Sequence, residues 1–524
     1  MCMCGRVFPV PMSVGVTCPP PPVGGFGGRG KRKRIRTVPI LFMEIAFLAS
    51  EVEPFAKTGG LADVARSLPA ALAARGIEVN VFMPLYGFVK RKKYTIRRKL
   101  KVSRIGRALT GGAGPQFSIY GVRKNNVNFF FIENDRYFGR SGIYGSPRGE
   151  YRDNAARFIF FQKAVIAAMA SLNIKADILH LNDWHTALVP RFASSSVFSN
   201  VPTVLTIHNL AYQGIYGAEY SRLAGLKKEE LFKKNVNFLA YGIKTADAVT
   251  TVSPTYAREI KTKKFGCGLE NILKKRGNSL YGILNGLDYS SWSPKNDAAL
   301  PASYTAADLK GKKICKTRLL ASLGIKNTGA LLAGFVGRFT PQKGIDIIIP
   351  AVERSIRKDI QFVFLGDGDV SFEASLKKLE KKFPGRISVN GGFNDILAHR
   401  IYASSDIFLM PSEFEPCGLA QMIALSYGSI PVVNPTGGLK DTVEEYSPKS
   451  GAGWGFLMKK HSASSLAAAM RRALECYALT GKWEKLVKKA MRISFSWDGP
   501  AKKYIALYKR LLIAKRGKRG RLYA

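Results

Sequence analysis

The chain is short of acid. Asp and Glu total 37 against 81 Lys and Arg, a formal net charge of +44 over 524 residues. No acidic residue occurs before Glu44. Histidine is also scarce, with five in the whole chain. None stands at metal-ligand spacing, and His180 and His185 with Asp183 form the only close cluster, so a zinc site is not expected. Cysteine is sparse and odd in number: Cys2, Cys4, Cys18, Cys267, Cys315, Cys417 and Cys476. That excludes a disulfide framework and suits a reducing compartment. The apolar run of about 18 residues that a bilayer-spanning helix needs is missing, so no membrane span is expected.

A large basic excess attracts polyanions. Here it is scattered over short runs: Arg91–Lys93, Lys227–Lys228, Lys233–Lys234, Lys263–Lys264, Lys274–Arg276, Lys377–Lys378 and Lys381–Lys382. No nucleic-acid module accompanies it. The charge reads as a solvated basic surface, with no specific nucleic-acid partner. The remaining composition, 46% hydrophobic with 51 Gly and 26 Pro, is that of a folded chain with many turns. Its length implies two to four domains.

Residues 1–37 carry the proline run Pro19–Pro22, Gly24, Gly25, Gly27, Gly28 and the basic run Lys31–Arg36. They read as a disordered basic extension, or as an over-long start with translation beginning near Met43. The tail Lys515–Ala524 reads as frayed. Between these ends, apolar runs without strict alternation occur at Ile40–Leu48, Ile77–Met83, Ile178–Leu181, Val201–Ile207, Ala248–Val252, Ala330–Val336, Gln361–Leu365, Arg386–Asn390, Ile407–Met410 and Ile430–Val433. Phe117–Tyr120 and Val127–Phe131 flank a turn at Lys124–Asn126. Helical stretches separate most of the others, including one opened by Gly59–Gly60 and one over Ala155–Leu172. Such runs predict parallel sheets covered on both faces. A break near Trp292–Ala307 divides them into two doubly wound Rossmann-like α/β domains facing each other across a cleft. We place the first at 38–296 and the second at 297–494, with 495–524 a helix crossing back to the first and a basic tail.

Polar residues collect at the carboxyl ends of the predicted strands, where open α/β sheets bind ligands. They include His185, His208, Ser253, Arg338, Gly366, Ser412 and Gly437. Lys57-Thr58-Gly59-Gly60 lies in the first strand–helix loop. Its glycines can bring N–H groups to an anion beside the Lys57 charge, although a tight loop with a surface lysine has the same composition. Arg338 and Lys343 flank the second domain's first strand end, where a fork and a point charge suit a departing diphosphate. Gly437–Gly438 can present donors to the same phosphates. His185, after Asp183 and Trp184, can bond a sugar hydroxyl or simply be a buried, satisfied histidine. Glu415, in Glu413-Phe414-Glu415-Pro416-Cys417-Gly418, meets a sugar if the loop faces the cleft and otherwise starts a helix. Asp153–Asn154 suit hydroxyl recognition or a helix cap.

These segments, in this order, resemble bacterial glycogen synthases and plant starch synthases, which are retaining glycosyltransferases of the GT-B fold. The resemblance spans roughly 40–510. It is densest at KTGGLADV (57–64), DNAARF (153–158), NDWHTAL (182–188), TIHNLAYQG (206–214), TVSPTYAREI (251–260), ILNGLDY (283–289), GRFTPQKG (337–344), FEPCGLAQ (414–421) and TGGLKDTV (436–443). It implies a catalytic set of His185, Glu415, Arg338, Lys343 and Asp153. It implies donor contacts at Lys57, Gly59, Gly60, Asn154, His208, Gly418, Leu419, Thr436 and Gly437. It also implies glucose transfer from ADP-glucose, as substrate and not cofactor, to an α-glucan (glycogen, starch or maltooligosaccharides), with no metal. UDP-glucose, another acceptor, or a non-catalytic glucan-binding role are the alternatives. A bacterial cytoplasm is the expected location, with a plastid second, and homo-oligomerisation is left open. Three departures stand out: Glu413 where relatives carry a basic residue, Asn182 before Asp183-Trp184-His185, and the loop Phe265–Glu270.

Overall fold

The computed structural model describes residues 43–89, 96–102, 115–146, 149–356 and 359–522. The expected extension 1–37 and the run Arg91–Lys93 lie outside them. Fifteen strands form the two large sheets. The first sheet contains β1 (Glu44–Leu48), β2 (Glu78–Pro84), β3 (Arg97–Val102), β4 (Phe117–Lys124), β5 (Val127–Glu133), β6 (Ile178–Asn182), β7 (Thr203–Ile207), β8 (Ala248–Thr251) and β9 (Leu280–Gly282). The second contains β10 (Leu331–Val336), β11 (Ile360–Gly366), β12 (Ile387–Gly391), β13 (Ile407–Met410), β14 (Ile430–Val433) and β15 (Phe456–Leu457).

The first sheet runs β9-β8-β7-β6-β1-β2-β5-β4-β3. From β9 to β5 every pair is parallel. β6 and β7 are buried along their whole length, as continuous apolar runs require. At the far margin β5, β4 and β3 pair antiparallel, with the turn expected at Lys124–Asn126 joining two of them. Asn125 and Asn126, both with positive φ, make the two-residue hairpin turn between β4 and β5. β4 alternates buried and half-buried positions, so one of its faces is only partly covered. β3, with the sequence RRKLKV, escaped the reading because its charges mask any apolar period. A charged edge strand resists pairing with another chain.

The second sheet runs β12-β11-β10-β13-β14-β15, parallel throughout. In each sheet the chain builds outward from its first strand, then returns to that strand's other side, at β6 in one lobe and β13 in the other. The crevice at such a switch point is where doubly wound sheets bind ligands.

The last helix, Asp498–Leu522, continues through most of the tail expected to fray, and Lys515 Nζ lies 3.2 Å from Asp247 Oδ1. It packs on the first lobe. His180, fully buried, bonds Tyr508 Oη at 2.6 Å through Nδ1 and Thr206 Oγ1 at 2.7 Å through Nε2. His180 is therefore the anchor of the returning helix. Tyr508→Phe removes one buried hydrogen bond and should lower stability by about 1 kcal/mol. Tyr508→Ala also leaves a cavity and should cost about 3–5 kcal/mol. The midpoints of urea unfolding check both.

Candidate active site

Glu51 follows β1 and is 3% exposed. Its carboxylate accepts from Thr58 N (2.5 Å), Thr58 Oγ1 (2.7 Å), Gly59 N (3.1 Å) and Tyr144 Oη (2.5 Å). The Gly59 N–H is therefore engaged by Glu51 in this arrangement. The space it leaves matters more. A Cβ on Gly59 would meet nothing within 4 Å, and one on Gly60 would face Leu419 Cδ1 of the second lobe at 3.8 Å. The loop is thus a bare wall of the cleft. Lys57 Nζ pairs with Asp63 Oδ1 at 2.6 Å, and burial raises the Asp63 carboxyl despite that lysine. Lys57, Asp63 and Leu419 line one cavity of about 140 Å³ between the lobes.

At the end of β6, Asp183 adopts a positive φ and accepts the His208 N–H at 2.7 Å. Burial raises its carboxyl to about 7. The strained turn swings His185 under a lid of rings: Trp184 at 3.9 Å, Phe158 at 4.7 Å and Tyr144, stacked, at 4.8 Å. Burial first, then the Arg157 charge, holds the His185 imidazole well below its ordinary value. It is a neutral ring. Its Nδ1 has no partner among the described residues, although an imidazole nitrogen so deeply buried normally has one. His208 Nε2 bonds Asn182 Oδ1 at 2.9 Å, and burial lowers it to about 3.

Asp153 and Asn154 begin the long helix Asn154–Ser171, but their side chains face protein partners. Asp153 takes a bidentate bond from Arg140 at 2.7 and 2.6 Å. Asn154 donates to Tyr144 O (2.9 Å) and accepts from Arg157 Nη1 (2.6 Å). With both amide groups engaged, Asn154 braces the loop that carries Tyr144.

On the second lobe, the loop after β10 carries Arg338 and Lys343, and the loop after β13 carries Glu415. Lys343 Nζ lies 2.6 Å from Glu415 Oε2, which also accepts Ser412 Oγ at 3.1 Å. Glu415 is 6% exposed. Arg338 reaches across the cleft to Tyr212 Oη (3.2 Å) and also holds Gln342 Oε1 (3.0 Å). Thr436 and Gly437 open the helix Gly437–Thr442. A Cβ on Gly437 would stand 1.9 Å from Glu415 O, so only glycine lets that turn lie on the Glu415 backbone. Its N–H is taken by Glu259 of the first lobe, 3.1 Å from each carboxylate oxygen. Gly418 and Leu419 lead into the helix Ala420–Ser426. Cys417 is buried and its thiol is pushed up to about 12, which removes it as a nucleophile.

Across the cleft Gly60 faces Leu419 and Arg338 meets Tyr212, while Lys343 and Glu415 pair within the second lobe and His185 is buried in the first. Sequence reasoning missed Glu51, Tyr144, Tyr212 and Glu259. Glu51 was within reach, because it stands at a strand's carboxyl end like the residues that were chosen. The other three owe their position to contacts distant in sequence.

Two doubly wound lobes across a cleft, with Lys57 in the loop after the first lobe's first strand and Arg338 and Lys343 in the loop after the second's, are the frame of a GT-B glycosyltransferase. Residues 44–275 match the family described as starch synthase catalytic domain, and residues 322–490 match glycosyl transferases group 1. A glycogen synthase of Anaeromyxobacter sp. is 42% identical over 90% of this chain and 99% of its own. One from Thermodesulfovibrio yellowstonii is 38% identical over 91% and 100%. Among solved structures, the catalytic domain of starch synthase IV from Arabidopsis thaliana, bound to ADP and acarbose, aligns with a TM-score of 0.81. It shares 31% identity over 90% of this chain and 99% of its own. The chain belongs to the glycogen synthase family. Among the described residues, no helix is long and apolar enough to cross a membrane.

Two outcomes follow from the first-lobe wall. Glu51→Ala strips the acceptor from two loop N–H groups, a loss of roughly 1–3 kcal/mol. It should appear as a rise of about ten- to hundredfold in donor KM. Burial keeps His185 neutral, so kcat should show no acid limb near the ordinary histidine value of about 6.5. Tyr144→Ala uncovers a ring face and lets the pKa rise. Protonation then removes the acceptor nitrogen, and activity should fall as pH drops from about 7 to 5.

Proposed function

We propose that the chain transfers glucose from ADP-glucose to the 4-hydroxyl at the non-reducing end of an α-1,4-glucan, with retention of configuration. The observation that carries this reading is the Lys343–Glu415 pair beside Arg338, facing the bare Gly59–Gly60 wall. A nucleotide sugar's C1–O bond breaks as negative charge grows on the departing diphosphate. Arg338 supplies a planar fork for it and Lys343 a compact charge. As Lys343 turns to phosphate, Glu415 is released to accept hydroxyl protons of the glucose. Lys57 approaches the same phosphates from the first lobe.

Retention follows if the acceptor hydroxyl attacks on the face the diphosphate leaves. The phosphate oxygen then takes the nucleophile's proton. Neutral His185 positions the glucose as a hydrogen-bond partner. Its unpartnered Nδ1 and its lid of rings suit a sugar better than bulk water. Asp153, half-exposed and paired with Arg140, keeps its side of the loop in register. Lobe closure excludes water from the cationic centre.

In this reading residues 38–296 form the acceptor side, 297–494 the nucleotide-sugar side, and 495–524 the returning helix. The cytoplasm, where nucleotide sugars are made, is the corresponding location. The likeness to a starch synthase bound to ADP and acarbose supports an adenine nucleotide and an α-glucan over UDP-glucose or a small acceptor.

The test is incorporation of labelled glucose from ADP-glucose into glycogen, with UDP-glucose as competitor. Incorporation should be robust and UDP-glucose a weak competitor. Lys343→Ala and Arg338→Ala should each lower kcat about hundredfold or more, roughly 3 kcal/mol of transition-state stabilisation. Unchanged turnover in Lys343→Ala would overturn the assignment.

A further inference from the structure

The helix Pro254–Glu259 of the first lobe packs on the helix Gly437–Thr442 of the second. Each is capped by a carboxylate from the other. Asp441 accepts Thr255 N at 2.8 Å and Thr255 Oγ1 at 2.6 Å. Glu259 accepts Gly437 N at 3.1 Å with each of its oxygens, and Thr436 Oγ1 at 3.2 Å. Arg258 Nη2 steadies Thr255 Oγ1 at 2.7 Å.

Glu259 ends its own helix, and Asp441 stands one residue from the end of its own. A carboxylate there faces the unpaired carbonyls of its own last turn, an unfavourable place. Neither acid is explained by its own helix. Each is accounted for by the free N–H groups at the start of the opposite helix. The exchange forms only in one register of the two lobes.

That register reaches the reaction centre in one step. Gly438 N donates to Glu415 O at 3.0 Å, and the Gly437 Cα lies too close to the same carbonyl to tolerate a Cβ. The turn held by Glu259 therefore rests directly on the backbone of Glu415, whose side chain pairs with Lys343. A shift between the lobes at these helices displaces the Lys343–Glu415 pair relative to Lys57 and His185.

We propose that Glu259 and Asp441 are positioning residues whose exchanged caps set the lobe register in which the Lys343–Glu415 pair meets the first-lobe wall. The inference rests on the glucosyl-transfer reading above. Misregistered lobes should admit water to the activated donor more readily than they admit a correctly placed 4-hydroxyl. The informative readout is the ratio of ADP-glucose hydrolysis to transfer onto glycogen, because loss of folded enzyme cancels from it. Glu259→Ala and Asp441→Ala should each raise the ratio about tenfold or more, as displacements near 1 Å do to reacting groups. Glu259→Gln keeps an acceptor oxygen and should recover most of the coupling. Glu475→Ala, on an exposed helix face, should leave it unchanged. A ratio within about twofold of wild type in both alanine variants would overturn the proposal even though the enzyme is active.

Small-angle scattering gives a second reading that needs no turnover. The full-length Glu259→Ala/Asp441→Ala protein should show a larger radius of gyration than wild type. Superimposable curves would sink the proposal. Wild type that fails to transfer from ADP-glucose would count against the donor assignment alone, and scattering would still decide the register.

Discussion

The contact between Lys343 and Glu415 governs this site. Both side chains are largely buried, at 21% and 8% exposed, and neither is stable there alone. Removing one partner of such a pair leaves an uncompensated charge, at a cost of several kcal/mol. A departing diphosphate can substitute for Glu415 as the partner of Lys343, and sugar hydroxyls can substitute for Lys343 as the partners of Glu415. The ion pair therefore holds two buried charges in a compensated state, and in the proposed reading a ligand carrying both kinds of group releases them.

The first lobe solves a different problem. It must keep a wall bare and a histidine neutral. Glu51 does the first by drawing the Thr58 and Gly59 amides back onto itself, so that the loop presents no side chain towards Leu419. The rings of Tyr144, Trp184 and Phe158 do the second by desolvation. Tyr144 belongs to both, since its hydroxyl bonds Glu51 and its ring covers His185. The Thr58–Gly59 loop and the buried His185 are consequently one mechanical unit, braced from behind by Asn154 and Arg157.

Much of this was legible in the chain. The β6, β7, β13 and β14 runs are buried on both faces, and continuous apolar stretches of that length have few other uses. The antiparallel margin was less legible, because RRKLKV in β3 carries charges on an edge and no apolar period. At the site, strand-end logic pointed to Lys57, His185, Arg338, Lys343 and Glu415, and their roles belong to the proposed reading. It had no means of showing that Gly59, Asn154 and Gly437 spend hydrogen bonds on Glu51, Arg157 and Glu259.

What the sequence settled by itself was the pair of doubly wound domains, the family, and the residues standing at the ends of strands. Those depend on local periodicity and on short segments whose chemistry is visible in order. Only the tertiary structure decided which donors were already spent, which nitrogen of His185 had no partner, and that acids at the wrong ends of two helices cap each other across the cleft. A hydrogen bond between residues 178 or 186 positions apart leaves no periodic trace in the chain, because its energy arises only when two separately folded surfaces meet in one register.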